Sequence, residues 1–553
     1  MAHTSAMSSL AHERGWWRDE TFLHDLNDRY RDRPSHAALI GRRSTLTSTE
    51  SVSYEDLTVR TAQVRKLLLD RGIRTGDAVA VQIGNRWEMA AFAFATFSIG
   101  AVLCPVPPES DTEELLHRLR VVQAILLLTD RKTTDTRSIR LGSPTVSEVL
   151  IVGERSEPDA VTVDSLLPAP TDRRRAHQEL VDAAAHLDSD GACLMLFTSG
   201  TTGPSKAVVH SHNSLYAAVR SYVDNFGLDR TTVVAVTTPV VHYSGLVQGI
   251  LTTTLVGGTT VIQDSRDAEQ LLALIEATGA TVMYGPPQTL LSLSAAQRAL
   301  RCDVSTLDRV IVGSAPVVEA LTAEIDEVFG ARTSSLWGMS EFGPAVLTPG
   351  DAPPSLPAIS NGNAIAGVEI RVVAQAPHAA HSPVGRLEVR GASRALGYFG
   401  QQDQFDAAVD SDGWFDTGDV ARDLGDDGIR VLGRAADVIW IGENIVPTVE
   451  IEASIQLLDG VGEASVIPSL DSRGEQTGLC AVLTRSDTHT PDTDVSVDAV
   501  RGRLIAAGFP DWCLPSRVEV VDHLPKTSTG KIRKRRLRDE FAVTSPTSET
   551  ADR

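Results

Sequence analysis

Apolar positions along this chain alternate between two rhythms for most of its length. Short unbroken runs such as Ala78-Val-Ala-Val-Gln-Ile83 and Ala124-Ile-Leu-Leu-Leu128 lack a polar face, the mark of strands covered on both sides. Amphipathic stretches at 57–72 and 113–121 lie between them and predict helices. From 191 to 345 the alternation recurs, with Val233-Val-Ala-Val236, Thr281-Val-Met-Tyr284 and Val310-Ile-Val312 each ending near glycine or proline. Such βα units predict parallel sheets covered by helices, an α/β fold. Residues 1–30 read as a helical lead-in, and 153–190 as a polar, acidic surface segment poor in strands. Shorter strands dominate from 364 to 432, among them Glu369-Ile-Arg-Val-Val373 and Arg386-Leu-Glu-Val-Arg390. No internal repeat is present.

The most apolar stretch runs from Met89 to Pro107, but Thr96, Ser98, Gly100 and Pro105 interrupt it. A buried helix running into a buried strand fits it better than a membrane span. The amino terminus, with Glu13, Arg14, Trp16 and Trp17, lacks the apolar core of a signal peptide. A net charge of −21, from 51 basic and 72 acidic side chains, argues against nucleic acid or an anionic membrane as partner. Cys104, Cys193, Cys302, Cys480 and Cys513 form no CxxC pair, so neither a metal cluster nor a disulfide framework is expected. The expectation is a soluble, cytoplasmic protein.

Candidate chemistry starts at Thr198-Ser-Gly-Thr-Thr-Gly-Pro-Ser-Lys206, where hydroxyls, two glycines and a lysine crowd into one loop. Backbone N–H groups and hydroxyls in such a loop can close around phosphate oxygens. The P-loop pattern fails here, because Gly200 is followed by Gly203 and Lys206 by Ala207. Further motifs follow: Pro239-Val-Val-His-Tyr-Ser-Gly245, Gly313-Ser-Ala-Pro316, Ser335-Leu-Trp-Gly-Met-Ser-Glu341, Trp414-Phe-Asp-Thr-Gly-Asp419 with Gly433-Arg434, and Pro525-Lys-Thr-Ser-Thr-Gly-Lys531. The basic run Lys531 to Arg538 would by itself suggest a localisation signal or a nucleic-acid patch.

This set of motifs, in this order, resembles the adenylate-forming enzymes: acyl- and aryl-CoA synthetases, stand-alone adenylation domains and luciferases. The resemblance extends from Val52-Ser-Tyr-Glu-Asp-Leu57 to Leu537. It implies a large amino-terminal domain, 1–433, whose parallel βα sheets are joined by a distorted β-barrel. A hinge at 434–437 follows, then a small mobile α/β lid, 438–540, carrying the catalytic lysine; 541–553 is expected to be a disordered tail. The implied reaction has two halves. A carboxylate attacks the α-phosphate of ATP, releasing pyrophosphate, and a thiol then displaces AMP. Both reactants of the first half are anions, and two unit charges about 4 Å apart interact by about 4 kcal/mol at an effective dielectric near 20. A fixed cation and a metal ion are therefore expected.

By the resemblance, Lys531 bridges the acid's carboxylate and ATP oxygens, Glu341 ligates Mg²⁺, and Ser340 donates to the α-phosphate. Thr198, Ser199, Gly200, Thr201, Thr202, Gly203 and Lys206 hold phosphates. Gly313, Ser314, Ala315, Pro316, Trp337, Gly338 and Met339 line the adenine site, with Trp337 in the usual tyrosine's place. Asp419 and Arg434 take the ribose, and His242 borders the acyl pocket and the thiol's approach. Amino-acid-activating relatives carry an aspartate in the segment 239–245; none stands here, so the acid lacks an α-amino group. ATP, Mg²⁺ and CoA are the implied cofactors, and a small carboxylic acid the substrate.

Three further positions depart from the pattern: Ala436 at the hinge, where Asp or Lys is usual, Glu443 in place of a tunnel glycine, and Ala207 after the loop lysine. The first two admit either drift within the family or an altered second half-reaction. The leading expectation is an acid–CoA ligase for an aromatic, alicyclic or short-to-medium acyl acid. The alternative hands its adenylate to a carrier protein or another nucleophile, or activates an inorganic anion such as nitrite. A non-catalytic nucleotide-binding relative is a third reading. Oligomeric state is not legible.

Overall fold

The computed structural model describes residues 5–43, 49–131, 135–152, 161–163, 167, 172–198, 205–313, 317–374, 384–442, 444–486, 495–526 and 532–542. Two large sheets form its body. The first has eight strands in the order Gly397–Tyr398, Ala207–Ser211, Ala192–Phe197, Val102–Pro105, Ala78–Gln82, Leu126–Thr129, Glu148–Ile151 and Val161–Thr162. All its pairings are parallel except the two made by Ala207–Ser211. The second has nine strands, running from Asn363–Ala364 through Arg332–Met339, Arg309–Val312, Val282–Gly285 and Val233–Val236 to the hairpin Ala37–Arg42 and Thr49–Ser53.

Strand Ala78–Gln82 is buried at every position, which is why it shows no alternation in sequence. The apolar run from Met89 resolves as expected into helix Glu88–Ile99 and strand Val102–Pro105. Every residue of that helix is buried, and Phe92, Phe94 and Phe97 are wholly inaccessible. Each such side chain contributes about 1.5–3 kcal/mol by leaving water. Helix Tyr54–Asp70 is capped by Ser53, whose Oγ accepts from the Asp56 N–H, and packs against helix Glu88–Ile99. Among the described residues no helix is long and apolar enough to cross a membrane.

The strands expected from 364 to 432, where a distorted barrel was implied, form a four-stranded antiparallel sheet: Val368–Ala374, Val384–Gly391, Phe415–Asp423 and Ile429–Arg434. A smaller carboxy-terminal domain follows. Its sheet comprises Val461–Leu470, Gln476–Arg485 and Arg517–Val521, with helices Thr448–Gln456, Val497–Ala506 and Lys534–Phe541 around it. The two domains meet at Arg430, which donates to the Val317 carbonyl at 3.0 Å and lies 3.2 Å from Glu450 of the small domain. Just after strand Ile429–Arg434, Asp437 pairs with Arg538 at 2.7 Å, and Lys534 pairs with Glu452 at 2.6 Å.

The chain is still packed where a tail was expected to begin. Phe541 ends a helix and its carbonyl accepts from Arg517, while the carbonyl of buried Ala542 accepts from the Leu470 N–H. The remainder of that segment, 543–553, lies outside the described residues.

Candidate active site

The phosphate-loop candidate springs from strand Ala192–Phe197 and returns into strand Ala207–Ser211, so its two ends are neighbours in one sheet. Its neck is closed twice: the Thr198 N–H donates to the Lys206 carbonyl at 2.9 Å, and the Lys206 N–H to Thr198 Oγ1 at 3.0 Å. Ser199, Gly200, Thr201, Thr202 and Gly203 lie outside the described residues, as do Ser314, Ala315, Pro316, Glu443 and Lys531. Lys206 is half-buried, with its Nζ 4.6 Å from the ring centroid of Tyr398. Ala207 is buried in the strand that follows.

Strand Arg332–Met339 and strand Gly343–Leu347 make a hairpin whose turn holds Ser340 and Glu341. Gly338 belongs there for a local reason: a Cβ at that position would stand 2.3 Å from the Gly343 carbonyl oxygen. Gly313 follows strand Arg309–Val312, and a Cβ there would meet the Tyr284 hydroxyl at 2.5 Å. The Trp337 indole N–H donates to Asp419 Oδ2 at 3.1 Å, and Arg434 Nε lies 3.2 Å from Oδ1 of the same carboxylate. Asp419 and Arg434 face each other across an antiparallel pair, so sheet register brings these ribose candidates together. Both Trp337 and Asp419 are buried.

Glu341 is 6% exposed, and its Oε1 accepts the Tyr398 hydroxyl at 2.6 Å. Burial pushes the Glu341 carboxyl up; the Tyr398 hydrogen bond and the charges of Arg434 and Lys206 pull it back. Lys206, Glu341, Tyr398, Met339 and Gly418 line one cavity of about 350 Å³. Beside Ser340, His210 is fully enclosed, with Nε2 2.7 Å from the Ser340 carbonyl oxygen and Nδ1 3.0 Å from Ser214 Oγ. Burial lowers it to about 4, so the imidazole is neutral at pH 7.

His242 is half-buried ahead of the π-helix Ser244–Leu251. That wide helix begins in close contact: a Cβ on Gly245 would sit 2.4 Å from the Pro239 carbonyl oxygen. Tyr398 is the residue that motif reading missed. Its segment, Leu-Gly-Tyr-Phe-Gly, carries no distinguishing chemistry, and its partner Glu341 is 57 positions away.

A buried carboxylate, a lysine beside it and a carboxylate–arginine pair opposite can together hold the metal, phosphates and ribose of a nucleotide. Comparison with known proteins agrees. Residues 26–399 match the AMP-binding enzyme family and residues 450–531 its AMP-binding enzyme C-terminal domain. The chain belongs to the AMP-binding enzyme family. It is an ATP- and Mg²⁺-dependent, AMP-forming acid–thiol ligase. It is 26% identical to the medium-chain fatty-acid–CoA ligase of Escherichia coli (strain K12), over 96% of this chain and 92% of that one. Against a salicylyl-CoA synthase / salicylate adenylyltransferase of Streptomyces sp the identity is 28%, over 95% of each chain. Among solved structures, ATP-bound MatB from Rhodopseudomonas palustris matches with a TM-score of 0.76 at 25% identity, covering 94% of this chain and 99% of that chain.

The donor set suits Mg²⁺. Among the described residues no group of three or more His, Cys, Asp or Glu side chains is placed to cage a metal. That leaves the buried Glu341, and Mg²⁺ characteristically takes one or two carboxylates plus substrate phosphates and water.

Proposed function

We propose that this ligase activates a carboxylic acid lacking an α-amino group, of aromatic, alicyclic or short-to-medium acyl type, and transfers it to CoA. The observation that carries this reading is the gathering of Lys206 and Glu341 on one cavity, with the Asp419–Arg434 pair on the strands beside it. The absence of an aspartate between Pro239 and Gly245 argues against an amino acid, and the similarity to a salicylyl-CoA synthase favours the aryl option. Glu341 is the carboxylate that would hold Mg²⁺, which when bound neutralises phosphate charge. Lys206 and the phosphate loop bind the phosphates, Ser340 reaches the α-phosphate, Asp419 and Arg434 fix the ribose, and Trp337 walls the adenine. His242 borders the acid. Lys531, on the lid hinged at 434–437, bridges acid and nucleotide during adenylation. Five unpaired cysteines fit a reducing, cytoplasmic setting.

The test is pyrophosphate release with ATP, Mg²⁺ and a panel of aryl, alicyclic and linear acids, with and without CoA. One acid should drive sustained turnover only with CoA, and its acyl-CoA should accumulate. Adenylate formation that CoA does not accelerate would overturn the CoA assignment and point to a carrier protein or another nucleophile. Lys531→Ala should lower adenylation by about 10²–10³-fold, as loss of an oxyanion donor does elsewhere.

A further inference from the structure

Residues 395–399 form a strap across the two motifs at the centre of the site. On one side the Ala395 N–H donates to the Glu341 carbonyl at 2.7 Å. On the other, Gly397–Tyr398 pairs antiparallel with Val208–Val209, which follow Lys206 after Ala207. The Leu396 N–H donates to Val209 at 2.7 Å and the Phe399 N–H to Ala207 at 2.8 Å. The backbone thus fixes one side chain, Tyr398, between both motifs. Its conformation is tightly determined: Gly397 has φ +154°, a Cβ there would meet Gln402 Oε1, and Phe405 packs edge-on at 5.1 Å. Tyr398 itself is 5% exposed.

We propose that Tyr398 is a positioning residue for the metal carboxylate, its hydroxyl fixing Glu341 while its ring seats the Lys206 ammonium. This rests on the reading of Glu341 as the metal ligand and Lys206 as a phosphate ligand. The two functions use different parts of one side chain. The hydroxyl engages a single carboxylate oxygen at 2.6 Å, a charge-assisted bond that restrains rotation of the carboxylate and leaves Oε2 for a cation. The ring face lies 4.6 Å from Lys206 Nζ, where the aromatic quadrupole attracts an ammonium without consuming its N–H donors. An ion pair between Lys206 and Glu341 would tie up both ligands; a tyrosine between them holds each in place and keeps each available.

The two parts separate experimentally in the full chain. Tyr398→Phe keeps the ring and deletes the hydroxyl; Tyr398→Leu deletes both. Calorimetric titration with ATP, in chelator and in Mg²⁺, gives a readout besides turnover, and the Mg²⁺ dependence of pyrophosphate release gives a second. For Tyr398→Phe we expect the Mg²⁺ concentration for half-maximal rate to rise about tenfold. Binding of metal-free ATP should stay within about twofold of the parent, since cation–π contact with Lys206 remains. Tyr398→Leu should also weaken metal-free ATP by about threefold to tenfold. An unchanged Mg²⁺ dependence in Tyr398→Phe, or equal weakening with and without metal, overturns the proposal. Glu341→Gln is the separate control: if it leaves Mg²⁺ dependence intact, the assignment of Glu341 fails, whatever Tyr398 does.

Discussion

Two neutral histidines stand at the start of helix His212–Phe226 and the strand before it, and both titrate far from their usual range. Burial lowers His210 to about 4 and His212 to about 3, with Arg18 and His24 adding to the second. His212 is enclosed between Phe97, at 5.0 Å, and Phe22, at 6.1 Å. Unfolding restores a pKa near 6.5, so between about 6.5 and 4 the unfolded chain binds more protons than the folded one. Their contribution to stability is therefore complete above about pH 6.5 and is lost progressively as pH falls, with a slope approaching about 1.4 kcal/mol per pH unit for each group. His212→Phe should flatten the fall in melting temperature between pH 7 and 5, measured by calorimetry beside the parent. At this scale the sequence was most informative where a residue belongs to a motif: Trp337, Glu341, Asp419 and Arg434 were all candidates from local strings. Their mutual bonds were not. The Trp337 N–H on Asp419 spans 82 positions, and only the tertiary fold sets that distance.

Among the elements, the hairpin Arg332–Met339 and Gly343–Leu347 is closely packed against itself. The register shifts between Trp337 and Gly338, and at Gly338 the facing strand comes too close for a side chain. Gly338→Ala drives a Cβ against backbone rather than a flexible side chain, so overpacking of about 1–3 kcal/mol is expected. Because the displaced strand carries Trp337, the KM for ATP should rise as well; urea unfolding and initial-rate kinetics test the two effects separately. Elements with a clear apolar pattern were legible: the amphipathic helix Thr112–Val121 and the unbroken apolar strand Ala78–Gln82 lie within a few residues of their expected bounds. The π-helix Ser244–Leu251 was not, since its apolar composition fits an ordinary helix.

For the whole molecule, Arg430 links the domains. Its guanidinium reaches both Val317, just beyond the adenine turn, and Glu450 on the small domain. Glu450→Gln weakens that pair without disturbing Val317. Glu450 is 41% exposed, so the loss is about 1 kcal/mol, close to fivefold in the balance between domain arrangements. The ratio of pyrophosphate-exchange rate to thioester-formation rate should therefore shift, while the melting temperature changes little. The parallel sheets followed from the alternation of apolar runs, and the second small domain from the family resemblance. That the hairpin near the amino terminus completes the second sheet did not, because Leu39 pairs with Thr260 across a gap that no local pattern spans. Among the described residues, three of the four margins of the two large sheets end in two-residue strands: Val161–Thr162, Gly397–Tyr398 and Asn363–Ala364. A two-residue edge offers too few free backbone groups to template a neighbour's strand. The strap that positions Tyr398 is one of these margins. The segment that organises the metal carboxylate thus also closes a sheet edge, and loosening it exposes the molecule to edge-to-edge aggregation as well as to loss of catalysis.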